Sequence, residues 1–400
     1  MRILITTSTF PFKTGDGQAR FVLDLAKALS STTKVTVLAP HAPGAAPQAR
    51  IGDVDVRRFR YFIPSQLERL SYGAGMRHNI EHSWLARIQI PFLVLAQLLA
   101  TMWLVLTRRV SVVNPHWLVP QGLTAAIVAR ITGVPLVLHV HAADVYFLRR
   151  FRFGRAVARF VVRSCSSVLA DGSHVRDSLD ELLGFDSGAH LRPMGVWLEV
   201  FGAKEPPSPN LVSLPDRFVL FVGRLVEKKG VEYLIRAMAL VREEIPDIEL
   251  VVVGSGPLSD ELAELAEHWE LSEVVHFLGA LEHDGVAALL GMADIACVPS
   301  IIDSHGETEG MPTVVLEAMA SGARVVGTRV NGIPDVLHDA QNGWLVEPAD
   351  DQALAAGLIA AANGLDAELI AEEGARTAAQ HDWDAVANEY RKLLEEAVRG

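Results

Sequence analysis

The sequence predicts an α/β protein made of two doubly wound, Rossmann-like domains, and three observations carry that expectation. The chain has 400 residues, more than one hydrophobic core usually supports. Short β-branched runs alternate with stretches of helical periodicity, the pattern of parallel strands covered on both faces. The alternation runs through twice, and the aperiodic segment "FGAKEPPSPNLVSLPD", residues 201–216, separates the two series.

Taken in order, "RILITT", "KVTVLAP", "VSVVNPH", "PLVLHVH" and "SSVLADG" read as strands of the first series. "FVLFVGR", "IELVVVGSG", "VVHFLGA", "DIACVPS" and "ARVVGTR" read as strands of the second. Helical periodicity follows the strands, as in "RFVLDLAKALS" and "VEYLIRAMALVREEI". The expected division is a first domain over 1–200, a linker over 201–216, a second domain over 217–380 and a final segment, 381–400, carrying an amphipathic helix. Ligands of doubly wound sheets bind beyond the carboxyl ends of the strands, so the expected site is a cleft between the two domains.

Composition narrows the class. Half the residues are hydrophobic and 21% are charged, an ordinary globular balance. Cys165 and Cys297 are the only cysteines, too few for a disulfide framework or a Cys-rich metal site, and they fit a reducing, cytoplasmic compartment. The opening "MRILITTSTF" reads as a strand and lacks the features of a signal peptide. Residues 1–200 hold 23 Lys+Arg against 13 Asp+Glu, whereas residues 201–400 hold 13 against 35. The first half, at +10, is therefore the one suited to an anionic surface or substrate. Residues 88–107, "IQIPFLVLAQLLATMWLVLT", barely reach the length of a bilayer span and are expected as a core helix or one lying at a lipid interface.

Several stretches carry chemistry. "FVGRLVEKKG" places Gly223 at a strand end, followed by Arg224 and Lys229, two cations able to address one diphosphate. In "ETEGMPTVVLEAMASG", Gly310, Met311 and Pro312 form a turn, and Pro312 suits the first position of a helix. The free amides of Thr313 and Val314 and the helix dipole then favour a phosphate. Glu309, in the loop before, could accept hydrogen bonds from sugar hydroxyls, and Glu317, inside the helix, could grip a ribose diol. In "HVHAADVY", His139 and His141 share a strand face, and Asp144 follows three residues after the second. His141 could donate to a substrate oxygen or orient it. Zinc is a competing reading for these histidines, but no third ligand stands at a characteristic spacing. Gly15 and Gly17 let the backbone approach a diphosphate closely. Without a full G-x-G-x-x-G and a ribose-binding acid after "VLAPH", a dinucleotide oxidoreductase is disfavoured. "RRFRFGRAVARFVVR" puts Arg152, Arg155, Arg159 and Arg163 on one helical face, suited to an anionic membrane or a pyrophosphate-bearing acceptor.

Together these residues resemble the retaining glycosyltransferases of family 4 (group 1), over nearly the whole chain, with "GRLVEKKG" and "EGMPTVVLEAMASG" as the most specific marks. The resemblance implies the GT-B fold, in which the C-terminal helix of "HDWDAVANEY" crosses back onto the N-terminal domain. It implies Arg224 and Lys229 on the donor diphosphate, Glu309 on the donor sugar, Glu317 on the ribose and His141 on the transferred sugar. "NPHWLVPQG" resembles a subgroup acting in surface polysaccharide or glycolipid assembly, which places His116 and Trp117 on the acceptor side, with Asp144. The chain departs from the family at Gly15-Asp16-Gly17, where Gly-Gly is frequent, and at Trp197, where Asp or Asn usually follows "RPMGV".

The expected activity is transfer of a hexose-type sugar, from a UDP- or GDP-linked donor, to a hydroxyl of a glycan, glycolipid or small molecule. No cofactor, metal or nucleic acid is expected, and the location is cytoplasmic and peripheral on the membrane. A sugar-nucleotide epimerase of the same fold and a non-catalytic nucleotide-sugar-binding subunit are the rival readings.

Overall fold

The computed structural model of the chain describes residues 1–12, 20–72, 75–202 and 214–400. Gly15 and Gly17, and most of the linker segment 201–216, lie outside the described residues. Two compact units result, one of Met1–Pro193 with Trp383–Gly400 and one of Met194–Asp382.

The first unit holds β1 (Arg2–Thr6), β2 (Lys34–Pro40), β3 (Gln48–Ile51), β4 (Val54–Phe59), β5 (Val112–Pro115), β6 (Val137–Val140), β7 (Ser167–Ala170) and β8 (His190–Leu191). Five strands run β3-β4-β2-β1-β5 and three run β6-β7-β8. Single bridges Val113–Leu136 and His116–His139 join β5 to β6. Every pairing is parallel except β3 with β4. That pair is a hairpin about Gly52, φ +58°, which the sequence reading passed over. Its strands mix Arg and Asp with the apolar residues and present no continuous β-branched run.

The second unit is a single parallel sheet of β9 (Phe218–Val222), β10 (Glu249–Val253), β11 (Val275–Gly279), β12 (Ile295–Val298), β13 (Arg324–Thr328) and β14 (Trp344–Val346), in the order β11-β10-β9-β12-β13-β14. This is the doubly wound order 3-2-1-4-5-6, whose switch point lies between β9 and β12. Alternation on the strands supplies two cores. Val219 and Phe221 of β9 pack with Leu250 and Val252 of β10 on one face, and Phe218 and Leu220 pack with Val251 and Val253 on the other. The short β14 was also not read from the sequence.

The change of unit falls at Pro193, earlier than the expected 200. Val196 and Phe201 are 1% and 2% exposed and belong to the core of the second unit, so the chain has already changed sheets before the Pro-rich segment begins. The last helix, Trp383–Arg399, is part of the first unit, burying Tyr390 and Leu394 there.

Candidate active site

In the second unit the chemistry-bearing residues gather at the carboxyl end of β9 and β12. After β9 the chain passes Gly223 and Arg224 into a one-turn 3₁₀ helix, Glu227–Lys229, closed by Gly230. Gly230 has φ +67°, and a Cβ there would stand 1.9 Å from the Pro299 carbonyl oxygen, so only glycine fits. This tight turn lays Lys229 over Gly223, where a Cβ would stand 3.3 Å from the lysine stem.

Lys229 does not reach into open space. Its Nζ donates to Glu309 Oε2 at 2.5 Å, and Lys228 Nζ lies 3.7 Å from Glu309 Oε1. Burial would raise the Glu309 carboxyl, yet the charges of Lys229 and Lys228 outweigh it and hold the group below its ordinary value. Glu309 is thus a carboxylate between two ammonium groups. The two loops are also stitched by backbone and carboxylate bonds. Ile301 N donates to Lys228 O, and Ser304 donates through N and Oγ to the two oxygens of Glu227, at 2.7 and 2.8 Å. On the far side, Asn331 Nδ2 donates to Thr308 Oγ1, beside Glu309.

Helix Thr313–Ala320 begins next. Pro312, expected inside the first turn, is the residue just before it (φ −68°, ψ 121°), because its extended ψ carries the Gly310–Met311 loop into the helix. Thr313 and Val314 are accordingly the first two helical residues. Glu317 is half-buried on this helix, and Arg224 is exposed at the strand end.

In the first unit a second cluster stands at the carboxyl ends of β5 and β6. His116, His139 and His141 stack, with ring centroids 4.7 to 5.3 Å apart. His141 Nδ1 lies 3.1 Å from Asp171 Oδ2, and its Nε2 lies 3.1 Å from His116 Nδ1. His139 Nδ1 lies 2.8 Å from the Tyr390 hydroxyl of the last helix. Burial, with neighbouring imidazoles, pushes His116 and His139 well below the ordinary histidine value, so both are neutral. The third imidazole absent from local spacing is His116, contributed by another strand. One ligand atom from each ring lies within 4.8 Å of the others, a set that could hold a transition metal.

Asp144, expected on the acceptor side, is buried. Its Oδ2 accepts from Leu118 N at 2.5 Å and its Oδ1 from His141 N at 3.2 Å. Both oxygens are committed to backbone amides, and burial pushes the carboxyl up to about 7. Asp144 positions the Trp117 loop and His141. Trp117 itself is held at φ +75°, a conformation costly for a bulky side chain, with its ring 4.9 Å from that of His141. His116 is fully buried, which leaves Trp117 as the more accessible of the two residues expected near an acceptor.

Arg152, Arg155, Arg159 and Arg163 lie on and around helix Gly154–Val162, lining one concavity with Arg130 and Phe160. The sequence reading missed Glu227, Lys228, Asp171 and Tyr390. Asp171 closes the strand read from "SSVLADG", and an acid at a parallel strand's carboxyl end was a usable signal. Tyr390 gave none, since its partner is 251 positions away.

The sequence and the fold have counterparts among known proteins. The model of Glycosyltransferase Family 4 matches residues 15–200, and that of Glycosyl transferases group 1 matches residues 207–376. The putative colanic acid biosynthesis glycosyltransferase WcaL of Escherichia coli K12 is 35% identical over 193 residues, 48% of this chain and 46% of that protein. The chain thus spans about half the length of that relative. The glycogen synthase of Mycobacterium tuberculosis H37Rv is 27% identical over 100% of this chain and 96% of its own. The structure of Anabaena Alr3699/HepE in complex with UDP superposes with a TM-score of 0.72, covering 99% of this chain and all of that one, at 19% identity, a likeness of fold. With one family model on each half and the 3-2-1-4-5-6 sheet in the second unit, the chain belongs to the family 4, group 1 glycosyltransferases of the GT-B fold.

Proposed function

We propose that the chain is a retaining glycosyltransferase that moves a hexose-type sugar from a UDP- or GDP-linked donor to a hydroxyl of a glycan, glycolipid or small molecule. The observation that carries this reading is the meeting of the Lys228–Lys229 turn with Glu309 at the switch point of the second sheet, beside a helix start. The UDP bound by the HepE relative supports a nucleotide donor.

In this reading Lys229 and Arg224 take the diphosphate, with Gly223 and the Gly310–Val314 turn close to its phosphates. A diphosphate brings more negative charge than one carboxylate, so it displaces Glu309 from Lys229 and frees it toward the sugar hydroxyls. Glu317 holds the ribose. The bond from sugar C1 to the diphosphate oxygen breaks as the acceptor oxygen bonds to C1 on the same face. A phosphate oxygen takes the acceptor proton, and the developing charge is stabilised by Arg224, Lys229 and the helix N-terminus. From the first unit we assign His141 to the transferred sugar and Trp117 to the acceptor, with His116 and Asp144 behind them. No side-chain base and no metal is required. The place of action is the cytoplasm, with peripheral contact of the first unit, through the arginine cluster, with an anionic membrane carrying the acceptor.

The test is a panel of UDP-, GDP- and ADP-sugars. One of them is expected to raise the melting temperature, as a ligand selective for the folded state must, and to be slowly hydrolysed without acceptor, releasing the sugar with its anomeric configuration kept. Formation of a 2-epimer instead, or binding with no hydrolysis or transfer to any hydroxyl, would overturn the reading.

A further inference from the structure

Helix Trp84–Arg108, the crossover between β4 and β5, is built inside out. Its inward face carries Gln89, Gln97 and Thr101, each at most 1% exposed, beside Ala86, Leu93 and Leu104. Gln89 is fixed there, accepting from Arg69 N at 3.0 Å and donating to Leu67 O at 2.7 Å. The outward face shows Trp84, Ile88, Phe92, Leu95, Leu99, Trp103 and Leu106, between 48% and 71% exposed. Their spacing of four, four, three, four, four and three makes one straight apolar stripe. No charged residue lies between Arg87 and Arg108. A helix facing water normally has the reverse arrangement, and an apolar stripe about 33 Å long marks an interaction surface.

The neighbouring helices supply the complement. Helix Leu123–Thr132 packs against this helix and against Gly154–Val162. The crossovers from β4 to β5, β5 to β6 and β6 to β7 progress in one direction across the sheet, so right-handed connections put all three helices on the same face. On that face Arg130, Arg152, Arg155, Arg159 and Arg163 line a concavity of about 540 Å³. Among the described residues none of the five pairs with a carboxylate, whereas nearby Arg149 pairs with Glu181 at 2.6 Å. Carbonyls and rings hold them instead: Arg155 and Arg159 donate to Leu182 O and Leu183 O, and Arg130 lies over Phe160.

We infer that the first unit sits monotopically in the interface of an anionic bilayer, with the outward stripe of helix 84–108 in the acyl boundary and lipid phosphates in the arginine concavity. This rests on the membrane contact proposed above and adds insertion to it. The helix has the length and apolarity of a span, but its inward face is part of the fold of the unit, so it lies along the surface. Trp84 and Trp103, near its two ends, suit the headgroup level. A second copy is the poorer occupant, because a two-fold pairing of this face would set the five arginines against themselves.

The full chain is sedimented with phosphatidylcholine vesicles with and without phosphatidylglycerol, at low and high salt. Wild type is expected to pellet with the anionic vesicles, to stay partly bound at high salt, and to show tryptophan quenching by brominated acyl chains. Leu95→Glu with Leu99→Glu, both on the exposed stripe, should lower high-salt binding at least tenfold while donor hydrolysis is unchanged. Arg152→Gln with Arg163→Gln should lower low-salt binding at least tenfold and leave the salt-resistant part. If the double glutamate variant binds as wild type and salt releases everything, attachment is electrostatic alone and insertion is wrong. A lipid-free dimer that the same variant dissociates would assign the stripe to a second copy, and no binding to either vesicle would remove both membrane claims. Absence of donor hydrolysis in wild type would sink the transferase reading and leave the vesicle result standing.

Discussion

Lys229 and Glu309, 80 positions apart, meet ammonium to carboxylate at 2.5 Å in a part-buried loop pair. Neither charge is stranded, and in the proposed reading each is occupied by the other until a donor enters. Removing Lys229 is therefore expected to do two things. Lys229→Ala should lower kcat by about a hundred- to a thousandfold, the cost of losing one charge on a leaving group. It should also lower the melting temperature, because Glu309 keeps only Lys228, 3.7 Å away. Steady-state kinetics with circular dichroism checks both, and undiminished turnover would remove Lys229 from the diphosphate.

The same pair sets a pH dependence. The Glu309 carboxyl lies below its ordinary 4.5 in the folded chain, so the folded state binds its proton less readily than the unfolded state does. The stabilisation is present above pH 4.5 and is lost as pH falls through the folded value. Glu309→Gln should be less stable than wild type near neutrality, and the gap should close in acid. Denaturant titrations across that range are the measurement, and a gap independent of pH would contradict it.

Asp144 should act with the opposite sign. Its carboxyl is raised from 3.8 to about 7, so between those values the folded state carries the extra proton and stability falls as pH rises. One proton corresponds to a slope of at most about 1.4 kcal/mol per pH unit. Asp144→Asn should flatten the curve in that window, at the cost of one of the two amide bonds. A slope unaltered by the substitution would show that Asp144 is ionised throughout.

Glu317→Ala should weaken nucleotide binding more than it slows the chemical step, since a ribose contact is made in ground and transition states alike. Glu309→Ala should differ, lowering turnover and blurring the choice among donor sugars. Calorimetry with the nucleoside diphosphate, set beside kcat, separates the two, and unchanged affinity in Glu317→Ala would return that residue to helix packing.

Tyr390→Phe removes the hydroxyl 2.8 Å from His139 Nδ1 and leaves a buried imidazole nitrogen without its partner. The expected cost is about 1–3 kcal/mol, read as faster amide exchange in Trp383–Arg399. Chelation gives a separate check on the imidazoles. Turnover should survive EDTA, and a loss restored by zinc would make His116, His139 and His141 a metal site.

Much of the architecture was legible because its causes are local. The ten strands read from β-branched runs are strands, and helices Arg20–Ser30 and Val231–Glu244 follow their periodicity. Glycine at 230 and proline at 312 announced the turns that carry Lys229 and Glu309, since backbone geometry there depends on the residue itself. The edge strands β3, β8 and β14, two to four residues long, escaped because short edge pieces have little pattern of their own, and β4 escaped because Asp and Arg interrupt its apolar run.

The pairings were decided by the tertiary structure alone. Sequence put Lys229 and Glu309 in separate motifs, and only the parallel sheet, by setting the ends of β9 and β12 side by side, joins them and adds Lys228 and Glu227. The third imidazole, His116, and the hydroxyl of Tyr390 reach His139 from other elements, 23 and 251 positions away. The direction of helix 84–108 is of the same kind. Its apolar composition was visible in the chain, but which face looks outward depends on where Gln89, Gln97 and Thr101 find room in the packed unit, and periodicity fixes the faces of a helix without saying which one the core receives.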